Sequence, residues 1–205
     1  MTTMNRRFRW KKHALLAVLA LASAWFMYVM ARPTDEVTLT IGESYEEVRQ
    51  RTHSTLPPVI PGHNWFGHVT RPATLRFIDT HFGFVTPPAK FLAVMYDHDG
   101  NVSSLRLSPQ IKPLLLDDAM AILTDLQDQL ERGGWQVTHF DGPTPRLDSP
   151  ETRNSVRAGG GPMTRWQASH KYEVSLDIRR FGAEKRPDKA RYLITISLSN
   201  VVFGE

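Results

Sequence analysis

An uncharged run of 18 residues near the start, Ala14 to Ala31, is the feature that most constrains how this chain can fold. As a helix rising about 1.5 Å per residue it would be roughly 27 Å long, close to the roughly 30 Å thickness of a bilayer's hydrocarbon core. Five basic residues precede the run and Arg32 follows it. By the positive-inside rule, this asymmetry keeps the N-terminus in the cytoplasm. The sequence therefore predicts a cytoplasmic basic tail at 1–13, a transmembrane signal anchor at 14–31 and a periplasmic domain at 32–205.

The location expected from this pattern is the bacterial inner membrane, crossed once, with the C-terminal domain in the periplasm. A cleaved signal peptide is the alternative, because Ala22-Ser23-Ala24 has the small-x-small form that signal peptidase accepts. Cleavage after Ala24 would leave an apolar N-terminus in water, at a cost of about 25 cal/mol per Å² of exposed apolar surface. A buried core helix is a third interpretation, which the flanking charges and aromatic residues disfavour. We therefore expect residues 1–24 to be retained.

The basic character of the chain comes from its first 32 residues. They contain six of the 25 Lys and Arg residues and none of the 21 Asp and Glu residues, so the rest of the chain has a formal charge of −2. A nucleic-acid-binding domain keeps its basic residues on the folded face that meets phosphate, so no nucleic-acid partner is expected. The absence of cysteine excludes disulfides, thiolate metal sites, a cysteine nucleophile and lipid attachment to cysteine.

The part after the apolar run predicts an α+β fold, an antiparallel sheet with helices on one face. A strand pattern at 37–41 precedes Ser44-x-x-Glu47, a capping box that begins a short helix. Asp97 to Asn101 has the composition of a hairpin turn. Four strands are predicted around it, at 74–79, 82–85, 91–96 and 102–107.

A second group of elements begins with the strongest helical pattern of the chain, Asp117 to Arg132. Its predicted packing face consists of Ala119, Ile122, Leu123, Leu126 and Leu130. Strands are predicted at 136–140, 172–178 and 192–198. The long connection at 142–164 could be disordered, partly helical around 151–157, or functional. The order of elements also permits two tandem helix-plus-strands halves, 37–107 and 117–198.

Motifs of common enzyme classes do not occur in the sequence. It contains no His-Glu-x-x-His zinc helix, no Gly-x-Ser-x-Gly nucleophile elbow and no dinucleotide-binding glycine fingerprint. Asp125 and Asp128 could form a general acid and base pair, but this spacing is more typical of a solvated helix surface. The sequence therefore predicts a protein that is not an enzyme and that holds no cofactor.

The segment from His63 to His68 is the most unusual part of the chain, because two histidines bracket Trp65 and Phe66 after a proline-rich stretch. Local turn packing is one interpretation. Another is an exposed anchor for a partner protein, since Trp and Phe supply much of the energy at interfaces. A third is a metal site completed by His81 or Asp79, although the five-residue separation is not a diagnostic ligand spacing. Candidate partner-binding residues are therefore Trp65, Phe66, His63 and His68, and no metal is predicted.

The pattern Ile41-Gly42-x-Ser44-x-x-Glu47-Val48, followed by strands around the turn at 97–101, resembles a known group of proteins. It is similar to small periplasmic domains of outer-membrane-protein assembly lipoproteins and to the related fold of β-lactamase inhibitor proteins. The likeness covers residues 37–107 at most, and the lipidated cysteine of the assembly lipoproteins is missing. It implies a binding domain of the cell envelope without catalytic residues.

The expected function is therefore that of a membrane-anchored periplasmic domain that binds another protein, as an immunity protein or an inhibitor does. One alternative is a structural subunit of a cell-envelope or secretion assembly. A second is a small periplasmic hydrolase that works through His63, His68 or the helix carboxylates.

Overall fold

A computed structural model describes residues 35–60, 62–182 and 190–201, together with Ser23. The chain divides between Pro33 and Thr34, and every described residue except Ser23 belongs to the second unit. The described residues form three helices, α1 (Tyr45–Arg51), α2 (Leu116–Arg132) and α3 (Pro150–Arg157). Their ten strands are β1 (Asp35–Leu39), β2 (Trp65–His68), β3 (Ala73–Phe77), β4 (Phe84–Val85), β5 (Phe91–Tyr96), β6 (Val102–Ser108), β7 (Gln136–Asp141), β8 (Met163–Ala168), β9 (Tyr172–Phe181) and β10 (Arg191–Asn200).

The predicted transmembrane helix is not found in the part of the chain that the structure describes. None of the helices there is both long enough and apolar enough to cross a membrane. This finding contradicts the predicted signal anchor, and with it the inner-membrane and periplasmic location that depended on the anchor. The run at 14–31 itself lies outside the described residues, except for Ser23.

Seven strands form one antiparallel sheet in the order β2-β5-β6-β10-β9-β8-β7. The last strand in sequence, β10, lies near its centre and pairs with β9 from Arg191–Phe181 to Asn200–Tyr172. On its other side β10 pairs with β6. Strands from both segments considered as tandem halves, 37–107 and 117–198, therefore share this single sheet.

Three further strands form a second, mixed sheet in the order β1-β3-β4. Here β1 runs parallel to β3, from Asp35–Ala73 to Leu39–Phe77, and β4 runs antiparallel to β3.

The predicted fold, one antiparallel sheet with helices on one face after a membrane helix, is therefore wrong: the described residues are mostly β, in two sheets. A parallel pair needs a long crossover connection. The 33 residues between β1 and β3 carry no local pattern that reveals this pairing.

At both edges of the mixed sheet, backbone groups that have no neighbouring strand form hydrogen bonds with residues from elsewhere in the chain. The Val85 N–H of β4 donates to Oε1 of Gln129 at 2.9 Å, and Nε2 of Gln129 donates back to the Val85 carbonyl at 3.0 Å. At the other edge, the backbones of Glu36 and His53 exchange hydrogen bonds of 2.8 and 3.0 Å. These contacts satisfy backbone groups that would otherwise be open to another chain.

Several local predictions are confirmed. Ser44 caps α1 in a capping box with Glu47, and the Asp97 N–H donates to the Asn101 carbonyl across the predicted turn at 2.9 Å. Gly100 in that turn has φ of +81°, which only glycine adopts readily. The helical alternative for part of the 142–164 connection is also confirmed, because α3 lies there with Ser149 as its N-cap.

The helix α2 packs its apolar face into the core, as its periodicity predicted. Leu123, Leu126 and Leu130 are at most 2% exposed and belong to one core cluster with residues of β6 and β10 such as Leu107 and Ile194. The predicted face is correct except that Ile122 lies only partly buried at its margin.

Leu126→Ala should lower the free energy of unfolding by about 2–5 kcal/mol, because the side chain is fully buried and the cavity cannot collapse completely. Urea denaturation of the purified protein measures this loss. Asp125→Asn, one residue away on the exposed side of α2, is the matched control, because its amide oxygen can still accept the 2.8 Å hydrogen bond from Gln129 Nε2. It should change stability by less than about 0.5 kcal/mol. Equal losses for the two variants would show that the packing assigned to α2 is wrong.

Candidate protein-interaction surface

The segment from Trp65 to His68, interpreted from sequence as a loop, is the edge strand β2 of the seven-stranded sheet. It pairs with β5, with Phe66 opposite Met95 and His68 opposite Ala93. The strand was missed because it is four residues long, contains glycine and lacks β-branched residues. The adjacent aromatic residues Trp65 and Phe66, of types enriched in strands, are the local signal that could have revealed it.

The four predicted binding residues occupy different environments. Trp65 is partly buried and packs against the core, whereas Phe66 is 58% exposed. Their ring centroids lie 6.1 Å apart in a stacked arrangement. His68 is exposed at the end of β2, and His63 is exposed in the preceding turn. The structure therefore joins Trp65, Phe66 and His68 on one strand and leaves His63 outside it.

The residues considered for a metal site with His63 and His68 have other roles. Asp79 accepts hydrogen bonds from the backbone N–H groups of His81 and Phe82, at 3.0 and 3.2 Å. Its other oxygen accepts from Lys171 Nζ and Tyr172 Oη, both at 3.2 Å. Asp79 therefore joins the turn after β3 to the start of β9. Within the described ranges, no group of three or more His, Cys, Asp or Glu side chains could hold a metal ion.

A proline-containing segment, residues 54–60, flanks β2 and fixes its position. Thr55 Oγ1 accepts hydrogen bonds from the N–H groups of Thr70 and Arg71, at 2.7 and 3.1 Å. Further along, a Cβ at Gly67 would lie 3.0 Å from the Pro57 ring, tighter than ordinary van der Waals contact. Glycine at position 67 therefore lets the segment pack closely against the strand.

The seven-stranded sheet has a second face, opposite the core, which we call the outer face. Side chains of β6 show the division: Leu105 and Leu107 are buried, whereas Ser104, Arg106 and Ser108, which alternate with them, are not. Directly opposed residues on neighbouring strands point to the same face. Strand register therefore places one row across all seven strands on the outer face: Phe66, Met95, Ser104, Ser199, Glu173, Gln167 and Gln136.

The next row on the outer face, which we call the middle row, also crosses all seven strands. It contains two exposed arginines, Arg106 and Arg165, separated by Ser197 and Ser175. No acidic residue lies in it. The complete row is His68, Ala93, Arg106, Ser197, Ser175, Arg165 and His139.

The end of the outer face formed by β2 and β5 is apolar. We call the four residues Phe66, Met95, Ala93 and Phe91 the apolar strip. Phe66 and Phe91 are 58% and 47% exposed, Met95 is partly exposed, and Ala93 between Met95 and Phe91 is buried. Large exposed apolar side chains with a polar border are typical of protein-interaction sites. The strip therefore makes this end of the outer face the candidate site.

One acidic group of the outer face, Asp177, is buried among its neighbours. Burial raises the pKa of the Asp177 carboxyl above its ordinary value, and the nearby Arg179 and Arg106 only partly offset this effect. Arg179 Nε lies 3.2 Å from Asp177 Oδ1. In Asp79 burial acts in the same direction, but the hydrogen bonds from His81, Phe82 and Lys171 outweigh it, so the pKa of Asp79 is lowered.

Comparisons of the chain with models of known protein families, with curated proteins and with solved structures find no match. The resemblance to envelope-assembly lipoproteins and inhibitor proteins therefore stays a prediction from the segment at 37–107.

Substitutions of the two adjacent aromatic residues should have different effects on stability. Trp65→Ala should cost about 1–3 kcal/mol, because the indole is partly buried against the core. Phe66→Ala should change the free energy of unfolding by less than about 0.5 kcal/mol, because most of its ring is already in water. Urea denaturation of both variants measures the difference. A larger loss for Phe66→Ala would mean that its side chain belongs to the core.

Asp177→Asn and Asp79→Asn should change stability in opposite directions at neutral pH. Ionising Asp177 costs free energy in the folded state because its pKa is raised, so Asp177→Asn should stabilise, and the gain should vanish at acidic pH where the carboxyl is protonated. The lowered pKa of Asp79 means that its charged form stabilises the fold. Asp79→Asn should therefore destabilise near pH 7, and the loss should shrink as pH falls. Thermal unfolding across pH measures both; effects of the same sign would contradict these assignments.

Proposed function

We propose that this chain is a non-catalytic domain that binds another protein through the outer face of its seven-stranded sheet. The observation that carries the proposal is the apolar strip, in which exposed Phe66 and Phe91 border a polar sheet face. Covering such rings removes apolar surface from water and contributes about 25 cal/mol per Å². Aromatic side chains in this position supply much of the binding energy at protein interfaces.

The rigidity of the strip also supports this proposal. Phe66 and Met95 are directly opposed on two hydrogen-bonded strands, and Pro57 packs behind the strand at Gly67. Binding to a preformed sheet surface costs less conformational entropy than ordering a flexible loop. Trp65 then acts as a support for Phe66 from the core side, rather than as a second exposed contact.

In its more specific form, the proposal makes the partner a toxin or an enzyme that this domain blocks, as an inhibitor or immunity protein does. This form depends on the resemblance between residues 37–107 and the β-lactamase inhibitor fold. Blocking a partner requires only a complementary surface, which a sheet face can provide.

Site-specific crosslinking tests the proposal. A photoreactive phenylalanine analogue would replace Phe66 or Phe91 in the tagged protein, in cells that naturally produce it. We expect a discrete crosslinked adduct at both positions, because both rings would lie within the interface. Phe140, which is 44% exposed at the other edge of the sheet on β7, is the matched control position and should give no adduct of that size.

A second set of variants separates binding from folding. Phe66→Ser with Phe91→Ser should remove the partner from affinity-purified protein while leaving the thermal midpoint nearly unchanged. Phe140→Ser should leave capture intact. The proposal fails if crosslinking is equal at positions 66, 91 and 140, or absent from all three.

A further inference from the structure

The middle row of the outer face contains two exposed arginines that make no salt bridge with any described residue. Within the described part of the chain, neither Arg106 nor Arg165 has a carboxylate oxygen within 4.0 Å. Some arginines elsewhere do: Arg146 binds Asp128 and Asp148, and Arg71 binds Asp35. Arg106 lies close enough to buried Asp177 to offset part of the rise that burial causes in the pKa of its carboxyl, but it makes no salt bridge with it. Both guanidinium groups can therefore still pair with a carboxylate of a partner.

The spacing of these arginines is set by the sheet. Arg106 lies on β6 and Arg165 on β8, with Ser197 of β10 and Ser175 of β9 between them. Three strand spacings of about 4.8 Å separate the two backbones by roughly 14 Å. The serine hydroxyls between them donate and accept hydrogen bonds without adding charge. The row thus offers two forked cations at a fixed distance on a flat polar surface.

We infer that the outer face binds an acidic segment of a protein partner, with Arg106 and Arg165 each pairing a carboxylate and the apolar strip covering adjoining apolar residues. This inference rests on the proposed function and adds the chemistry of the partner. The guanidinium fork matches a carboxylate in a two-hydrogen-bond geometry. In an extended strand, residues i and i+4 point to one side and lie about 13 Å apart, which matches the arginine spacing.

A nucleic acid or another polyanion is a poorer match for this surface. Glu173 and Asp177 lie on the same face in the rows on either side of the middle row. From residue 33 onward the chain has 19 basic and 21 acidic residues. Both carboxylates belong to β9, which lies between the strands of the two arginines. A line of phosphates carries charge where it crosses β9, whereas the proposed segment carries charge only over β6 and β8.

A second copy of the chain also fits less well. Consider two copies that pack outer face against outer face, related by a twofold axis. If the axis runs parallel to the strands and passes midway between the two arginines, Arg106 of one copy lies over Arg165 of the other. If the axis instead runs along the middle row, across the strands, each arginine lies over the same arginine of the other copy. Both arrangements bring like charges together, which is unfavourable at a desolvated interface.

Peptide binding tests the inference. The probe is a fluorescein-labelled peptide with glutamates at positions i and i+4 and leucines at i−2 and i−4, on the side where β5 and β2 follow Arg106. A second peptide replaces the glutamates with glutamine. We expect the acidic peptide to bind more tightly, with an affinity that falls as salt is added. Arg106→Gln with Arg165→Gln should weaken its binding about tenfold, since each charge-assisted pair is lost. Arg157→Gln, an exposed arginine on α3, is the matched control and should change nothing.

The outcomes distinguish this inference from the proposed function. Equal binding of the two peptides, an equal loss in Arg157→Gln, or tighter binding of inorganic polyphosphate than of the acidic peptide would overturn the inference. Light scattering would also overturn the inference if it showed a dimer that the Arg106→Gln and Arg165→Gln variant dissociates. The partner of this surface would then be a second copy of the chain. If the adduct at Phe66 persists in the double arginine variant, the acidic-partner inference fails while the proposed function stands.

Discussion

Pairing of β10 with β6 on one side and β9 on the other is the interaction on which the rest of the structure depends. It joins strands from distant parts of the chain into one sheet. Ile194, Ile196 and Leu198 of β10 are fully buried on the core face, while Ser197 lies in the middle row of the outer face. The same strand therefore holds the core together and aligns the surface residues of its neighbours.

The two faces of the sheet have separate roles because side chains alternate along every strand. On the core face, α2 and the mixed sheet cover apolar residues in one cluster. On the outer face, the apolar strip is confined to β2 and β5, and the two arginines of the middle row lie on β6 and β8. A surface built in this way is as rigid as the sheet beneath it, so a partner would meet preformed positions rather than order them.

Local features of the fold were predictable from sequence, but the way distant segments meet was not. The cap at Ser44, the turn at Gly100 and the apolar face of α2 depend on residues a few positions apart. The parallel pairing of β1 with β3 has no such local pattern, and the short strand β2 differs little in composition from a loop.

The candidate surface could be predicted only in part. Phe66 was recognised because large aromatic residues in a polar, proline-flanked segment are unusual. Phe91, Arg106 and Arg165 were not, because they come from three different strands and meet only through the register of the sheet. Alternation of Leu105 and Leu107 with polar residues predicts that Arg106 is exposed, but it does not reveal which residues lie beside it.

The side chain of Gln129 links the stability of α2 to the protein's resistance to aggregation. Its amide satisfies the outer backbone groups of β4, yet it belongs to α2, which also covers the core. Any fluctuation that lifts the C-terminal turns of α2 therefore removes two protections at once, uncovering apolar side chains and an unpaired strand edge. Partial unfolding at this point would create a surface prone to strand-by-strand association, so resistance to aggregation depends on the local stability of one helix end.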